Sequence, residues 1–285
     1  MKIYILNINK CAKPNRQQFI YPAHNNDFGV EQDFLEYLCK NSYLLTTNPS
    51  EADWHYLPVF WTRWHLNHDY GKLGNNKLQK IVNSAIINDE RTFTICQYDD
   101  GPIVNIGKTV KFLASRKNED GKDIPLLCNQ HSTNPSIQYK RYLASFSGRL
   151  STHPIRHQMK NALQKRSDIS ILDGNYGPSV FTDTILKSHI ALAPRGYGGS
   201  SFRFFEAMQL GVTPLLIGDI DTRPFKRFLP WDDFSGYVRD ASTLNIFIEK
   251  MRMCDLKAMG TLAKKIYTHF LTYQKWCRFV IKELE

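Results

Sequence analysis

The 285-residue chain has no run of about 18 apolar residues, so no membrane-spanning helix is expected. Its start, MKIYILNINKCAKP, is too short and too polar for a signal peptide and reads as a strand. Both Asn-x-Ser/Thr candidates, Asn48 and Asn134, carry proline at x, which removes them as glycosylation acceptors. The six cysteines stand at 11, 39, 96, 128, 254 and 277, and no CxxC pair exists. That spread argues against a dithiol or zinc motif and predicts free thiols in a reducing, cytoplasmic setting. Neither GxGxxG nor GxxxxGK[ST] occurs, which counts against dinucleotide oxidoreductases and P-loop NTPases. Internal repeats, low-complexity tracts and long Lys/Arg blocks are also missing.

What is present is a foldable, basic chain. Apolar residues make up 42% and aromatics 13%, enough for a core and too much for wholesale disorder. The formal net charge of +10 suits an anionic partner, whether nucleic acid, a phosphate-bearing small molecule or an acidic glycan. The positive residues are scattered and form no basic helix or stripe, which disfavours nucleic acid.

Short apolar strands alternate with helical patterns. KIYILNI (2–8) reads as a strand, and a polar loop follows over 10–26. VEQDFLEYLCKN (30–41) places Phe34, Leu35, Leu38 and Cys39 on roughly one helical face. WHYLPVF (54–60) reads as a buried strand, 76–88 as a helix and RTFTICQY (91–98) as a strand. KTVKFLAS (108–115) and DIPLL (123–127) follow as short strands. In the second half, strands at 142–148, 168–173, 189–194 and 212–218 alternate with helices at 153–166, 182–188 and 201–211. The remainder is mostly helical. Such alternation implies parallel βαβ units in two α/β halves, with a polar boundary at 129–141.

The stretch SHIALAPRGYGGSSFRFFEAMQLGVTPLLIGD (Ser188–Asp219) carries the chemistry. An apolar strand leads through Arg195-Gly196-Tyr197-Gly198-Gly199-Ser200-Ser201 into a helix. Such a turn presents backbone N–H groups at a helix N-terminus, where an anion is favoured. Ser200 or Ser201 can cap the helix or donate to a phosphate oxygen. Arg195 and Arg203 can grip a phosphate bidentately, so a diphosphate is the expected ligand. Pattern alone leaves Glu206 as either a surface residue or a carboxylate for ribose hydroxyls.

The same stretch resembles the C-terminal signature of the exostosin family of glycosyltransferases. That signature reads Ser-x-Phe-Cys-Leu-x-Pro-Arg-Gly, then Ser-x-Arg-x-x-Glu-Ala, then Gly-x-x-Pro-Val-x-Ile-x-Asp. NSYLLTTNPSEADWHYLPVF, RTFTICQYDDGP and ASFSGR resemble further family segments, in order, so that most of residues 1–240 is covered. As a short stand-alone form the chain is similar to members of the family in large algal viruses and some bacteria. The resemblance implies an α/β GT-B architecture: two Rossmann-like domains facing across a cleft, with C-terminal helices packing back. Residues 1–135 would form the acceptor-side domain and 136–285 the donor domain. It implies inverting transfer of a sugar, xylose by preference, from a UDP-sugar to a hydroxyl of an oligosaccharide or glycoprotein glycan. No cofactor is required. By carry-over, Arg195, Gly196, Tyr197, Ser200, Ser201 and Arg203 line the donor site, Glu206 faces the ribose, and Arg149 adds a phosphate contact. The alternative is a catalytically inactive carbohydrate- or nucleotide-binding protein of the same fold.

Inverting transfer needs a base for the acceptor hydroxyl. Asp69 in WHLNHDYG leads, ahead of Asp100 and Asp99 in QYDDGP, where the family usually has His-Asp-x-Gly. Trp61, Trp64, His65 and His68 crowd the same region and are candidate acceptor contacts, since sugar C–H faces stack on aromatic rings. Asp219-Ile220-Asp221 is a DxD and His65-x-x-His68-Asp69 a conceivable ligand set. Both are too short to carry a metal assignment, so none is expected.

Overall fold

The computed structural model describes residues 1–15, 29–128, 130–131, 139–272 and 274–285. The chain forms two compact units, Met1–Ile124 with Tyr273–Glu285, and Pro125–Thr272. The boundary expected at 135/136 lies outside the described residues. The first division falls earlier because the last strand of the first sheet ends at Asp123.

In the first unit, strands β1 (Ile3–Ile5), β2 (Trp54–Tyr56), β3 (Thr92–Cys96), β4 (Val110–Leu113) and β5 (Lys122–Asp123) pair in sequential order, all parallel. Helix α1 (Val30–Lys40) buries Val30, Phe34 and Leu38, a spacing of four that keeps one face on the sheet. Helix α3 (Asn75–Ala85) does the same with Leu78, Val82 and Ala85. Between them lies a helix the pattern did not announce, α2 (Trp61–Asn67). Pro58 ends the expected strand early, and Trp61, Trp64 and His65 then recur at helical spacing, all buried.

In the second unit the strands are β6 (Tyr142–Gly148), β7 (Ile169–Asp173), β8 (Ser188–Pro194), β9 (Thr213–Ile217) and β10 (Gly236–Val238). All pair in parallel, in the order β10-β9-β8-β6-β7. Helices α4 (Pro154–Leu163), α5 (Pro178–Leu186) and α6 (Phe202–Leu210) make the crossovers, and α7 (Leu244–Arg252) and α8 (Leu256–Ile266) follow. Strand β10 was not foreseen. It is three residues long, and its Gly236 admits Leu215, Phe247 and Met251 where a side chain would stand. The chain runs from β6 outward to β7 and then returns to the other side of β6 as β8. This reversal makes the β6/β8 boundary a topological switch point, where open parallel sheets hold ligands at their carboxyl ends.

The last helix, α9 (Cys277–Leu284), packs back on the first unit. Trp276 is fully buried and stacks on Phe34 at 5.9 Å, while Trp54 Nε1 donates to Leu284 O at 3.1 Å. Lys122 adds an ion pair to Glu283 at 2.9 Å.

Helix α6 ends at Gly211, which is left-handed (φ 71°) and donates its N–H back to Met208 O. Gly260 of α8 lies against that turn: a Cβ there would meet Gly211 O at 2.3 Å and other backbone atoms near 3 Å. Gly260→Ala should therefore cost about 1–3 kcal/mol despite alanine's better helix propensity. Urea unfolding checks this, and a variant as stable as the parent would contradict the contact.

Candidate functional site

The glycine loop sits where β8 ends. Arg195 N–H donates to Ile217 O at 2.8 Å, extending the sheet by one residue, and Gly196 N–H closes the loop on Ser200 O at 3.3 Å. Gly218 leaves room for the Arg195 side chain, whose Cβ would lie 3.3 Å from an added methyl. Arg195 is buried; its Nε donates to Gly198 O at 3.2 Å and its Nη1 pairs with Asp219. Ser201 is the N-cap of α6, yet its side chain makes no cap hydrogen bond. Ser200 and Ser201 are both buried, whereas Tyr197 and Arg149 are exposed. The turn after β6 and the loop after β8 thus bring Arg149, Arg195, Gly196, Tyr197, Ser200 and Ser201 to the switch point.

Two guanidiniums join these loops from beneath. Arg156 of α4 donates from Nε to Arg195 O at 2.9 Å, from Nη1 to Arg149 O at 2.8 Å and from Nη2 to Pro194 O at 3.4 Å. Arg203 of α6 donates to Ser147 O, while its Nε and the Ser147 hydroxyl have no partner among the described residues. Both charges lie over the Phe146 ring, with Arg203 Cζ at 4.3 Å and Arg156 Cζ at 5.7 Å from the centroid. Phe181 covers Arg203 from another side at 5.4 Å. Among the described residues neither arginine forms an ion pair. Burial pulls Arg203 down to about 9, aided by the nearby Arg156 charge and opposed by Glu206, and burial pulls Arg156 down to about 10. Both stay charged at neutral pH. Carbonyls, ring faces and, for Arg203, the Glu206 carboxylate compensate these buried cations in part, and the local field still favours an approaching anion. Arg203 itself is too enclosed to present its fork to solvent. Its guanidinium, enclosed by Phe146, Phe181 and Ser147 O, fastens the loop after β6.

Glu206 lies one turn beyond Arg203 on α6, its side chain 17% exposed and its Oε1 3.5 Å from His131 Nε2. The DxD is committed to cations: Asp219 to Arg195, and Asp221 to Arg223 at 2.9 Å and Lys226 at 3.1 Å.

In the first unit the two aspartate loops meet. Asp69, Tyr70 and Gly71 are successively left-handed (φ 49°, 54° and 77°), a strained turn after α2. Asp69 pairs with Lys72 at 3.3 Å and Asp100 with Lys117, all four side chains exposed to a large extent. Tyr98, which precedes Asp99, donates its hydroxyl to Tyr70 O at 3.1 Å and lies 4.8 Å from the His65 ring. Burial, then Asp100 and Asp99, push the Tyr98 phenol up to about 12. Trp61, Trp64 and His65 are essentially unexposed, and Trp61 Nε1 donates to Thr94 Oγ1 at 2.8 Å. Their faces are covered by the core, so of the expected acceptor contacts only His68 is partly accessible. It stacks on Trp64 at 4.1 Å and binds Trp64 O through Nδ1 at 2.7 Å. Among the described residues no three His, Cys, Asp or Glu side chains converge as a metal set.

The family model for the exostosin GT47 domain matches residues 1–251. The chain belongs to the exostosin GT47 family. No curated protein matches the sequence significantly. Among solved structures, the crystal structure of TarM superposes with a TM-score of 0.39 and 9% identity, covering 73% of this chain and 57% of TarM. That likeness is too slight to carry an argument, and the chain spans little more than half of TarM's length.

Three residues of this exostosin domain escaped the sequence. Arg156 was hidden among the surface positions of an amphipathic helix. Its only signal was proximity to Gly148-Arg149, the turn it grips. Glu31 was hidden in the first turn of α1. It is 2% exposed, and one of its oxygens accepts from Thr62 N–H (3.1 Å), Thr62 Oγ1 (2.7 Å) and Gln97 N–H (3.2 Å). It thereby ties α1 and α2 to the end of β3, just before Asp99 and Asp100. His131 lies in the polar stretch read as a boundary.

His65 lies between Trp61 and Tyr98, and among the described residues neither ring nitrogen makes a well-aligned hydrogen bond. Burial pulls its imidazole down to about 4, against the opposing influence of the Gly101 backbone and Asp100. The unfolded chain takes up this proton near pH 6.5, the folded chain only near 4. Stability from this residue is therefore full above about pH 6.5 and declines as pH falls toward 4, by about 3 kcal/mol. Urea unfolding at pH 7 and 4.5 should show that decline, and His65→Phe should flatten it. Equal pH slopes for the two proteins would contradict the buried neutral imidazole.

Proposed function

We propose that this exostosin domain is an inverting glycosyltransferase that moves a sugar, xylose by preference, from a UDP-sugar to a glycan hydroxyl. The observation that carries the reading is the cationic switch point of the second unit. There the ends of β6 and β8 hold Arg149, Arg195 and the glycine loop over two buried guanidiniums, Arg156 and Arg203, that make no contact ion pair among the described residues, with Glu206 the carboxylate that acts on Arg203. A diphosphate supplies the missing charge, with loop N–H groups and Arg149 as its accessible donors. Glu206 receives the ribose hydroxyls, as acidic residues do in nucleotide-binding α/β folds.

In the reaction the acceptor oxygen attacks the anomeric carbon while the bond from that carbon to the β-phosphate oxygen breaks. The acceptor proton passes to a carboxylate, for which Asp69 is first choice and Asp100 and Asp99 follow. Negative charge growing on the diphosphate is stabilised by the arginines and loop dipoles. The proposal uses no metal, because Asp219 and Asp221 already serve arginine and lysine partners. The lysines on Asp69 and Asp100 favour a second reading, a nucleotide-binding protein without turnover.

A hydrolysis and transfer screen over nucleotide sugars, with and without EDTA, separates the two. Turnover of a UDP-sugar that EDTA leaves intact is expected; UDP binding without turnover of any donor would favour the second reading. Asp69→Asn should lower transfer about 10²–10⁴-fold with UDP affinity unchanged. Near-normal turnover would move the base to Asp100 or Asp99. Glu206→Ala should weaken UDP binding about ten- to a hundredfold, and unchanged affinity would remove its ribose role.

A further inference from the structure

Behind Glu206 runs a stack of alternating planes. Phe146 of β6 faces Arg203 of α6, Arg203 faces Phe181 of α5, and Phe181 faces the His131 ring at 5.9 Å and 29°. The stack ends at the carboxylate, since His131 Nε2 stands 3.5 Å from Glu206 Oε1 and has no aligned hydrogen-bond partner among the described residues. His131 is fixed from two further directions. Its backbone N–H donates to Gln209 Oε1 at 3.3 Å, and Gln209 is anchored through Nε2 to Tyr267 Oη at 2.9 Å and Cys128 Sγ at 3.0 Å. Helix α6 therefore holds the imidazole one turn past the residue the imidazole addresses.

A ribose presents two neighbouring hydroxyls, and a carboxylate receives both only when its plane is turned toward them. Glutamate in a helix is flexible, so this orientation must come from a neighbour. The 3.5 Å spacing is longer than a charge-assisted hydrogen bond of about 2.8 Å. The ring can restrain the carboxylate and still leave its acceptor positions for a ligand. We infer that His131 is a positioning residue, whose Nε2 holds the Glu206 carboxylate in place to accept from the two hydroxyls of a nucleotide ribose. This rests on the donor-site reading above and adds a residue that the glycine-loop signature does not contain.

The test compares UDP with 2′-deoxy-UDP by calorimetry, with competition by inorganic pyrophosphate as a measure of the phosphate site alone. The wild-type protein should prefer UDP by about tenfold or more, the value of a hydrogen bond to a charged group. His131→Phe keeps the stack on Phe181 and the backbone bond to Gln209, and His131→Asn keeps a polar group too short to reach Glu206. Both should lose most of that preference while pyrophosphate competes as before. His131→Gln, which can place an amide near the Nε2 position, should restore at least half of it. Thermal unfolding identifies any variant that does not fold, and the Asn and Phe variants serve as replacements for each other. If both keep the wild-type UDP preference while Glu206→Ala loses it, the role of His131 is overturned and the ribose reading stands. If the wild-type protein does not distinguish the two nucleotides, the ribose reading and the inference fall together.

Discussion

Two positive charges on one phenyl ring set the terms for the second unit. Arg156 and Arg203 reach Phe146 from α4 and α6, and between them they hold the carbonyls of Ser147, Arg149, Pro194 and Arg195. Those carbonyls are the ends of β6 and β8, the strands on either side of the switch point. The loops that carry the accessible donor groups are thus fastened by buried cations rather than by apolar packing alone. Such an arrangement is costly, because carbonyls, ring faces and the single nearby carboxylate of Glu206 compensate two desolvated guanidiniums only in part. The cost is localised where a diphosphate would relieve it.

The first unit is organised by a buried carboxyl group. Glu31 gathers the start of α2 and the end of β3 onto the first turn of α1, and the two aspartate loops leave from those elements. Tyr98 then links the loops directly through Tyr70 O. The left-handed run at Asp69, Tyr70 and Gly71 is tolerated because Gly71 closes on the carbonyls of His65 and His68. Strain of this kind, next to candidate catalytic carboxylates, is characteristic of functional turns.

How much of this was legible depended on the range of the interaction. The β8–glycine loop–α6–β9 unit is local, so apolar runs, glycines and the Gly211 stop reveal it directly. Helix α2 was missed because three aromatic residues after a proline extend an apolar run, and length alone cannot divide such a run into strand and helix. Trp61, Trp64 and His65 suggested a sugar platform by composition, but the i, i+3, i+4 spacing that makes them a helix also turns them into the core. Arg203 was read as a ligand-facing cation because its neighbours Phe204 and Phe205 gave no sign that Phe146 and Phe181 would enclose it. Glu31 and His131 act through partners about 30 to 75 residues away, and Arg156 joins its near neighbour Arg149 to Arg195 across about 40 residues; no periodicity encodes such links.

The central claim is that the cationic switch point awaits a nucleotide diphosphate. Calorimetric titration with UDP and with uridine, at low and moderate salt, tests it most directly. The account predicts that UDP binds at least about tenfold more tightly than uridine, with an advantage that shrinks as salt rises. Equal affinities for UDP and uridine, or no binding of either, would contradict it.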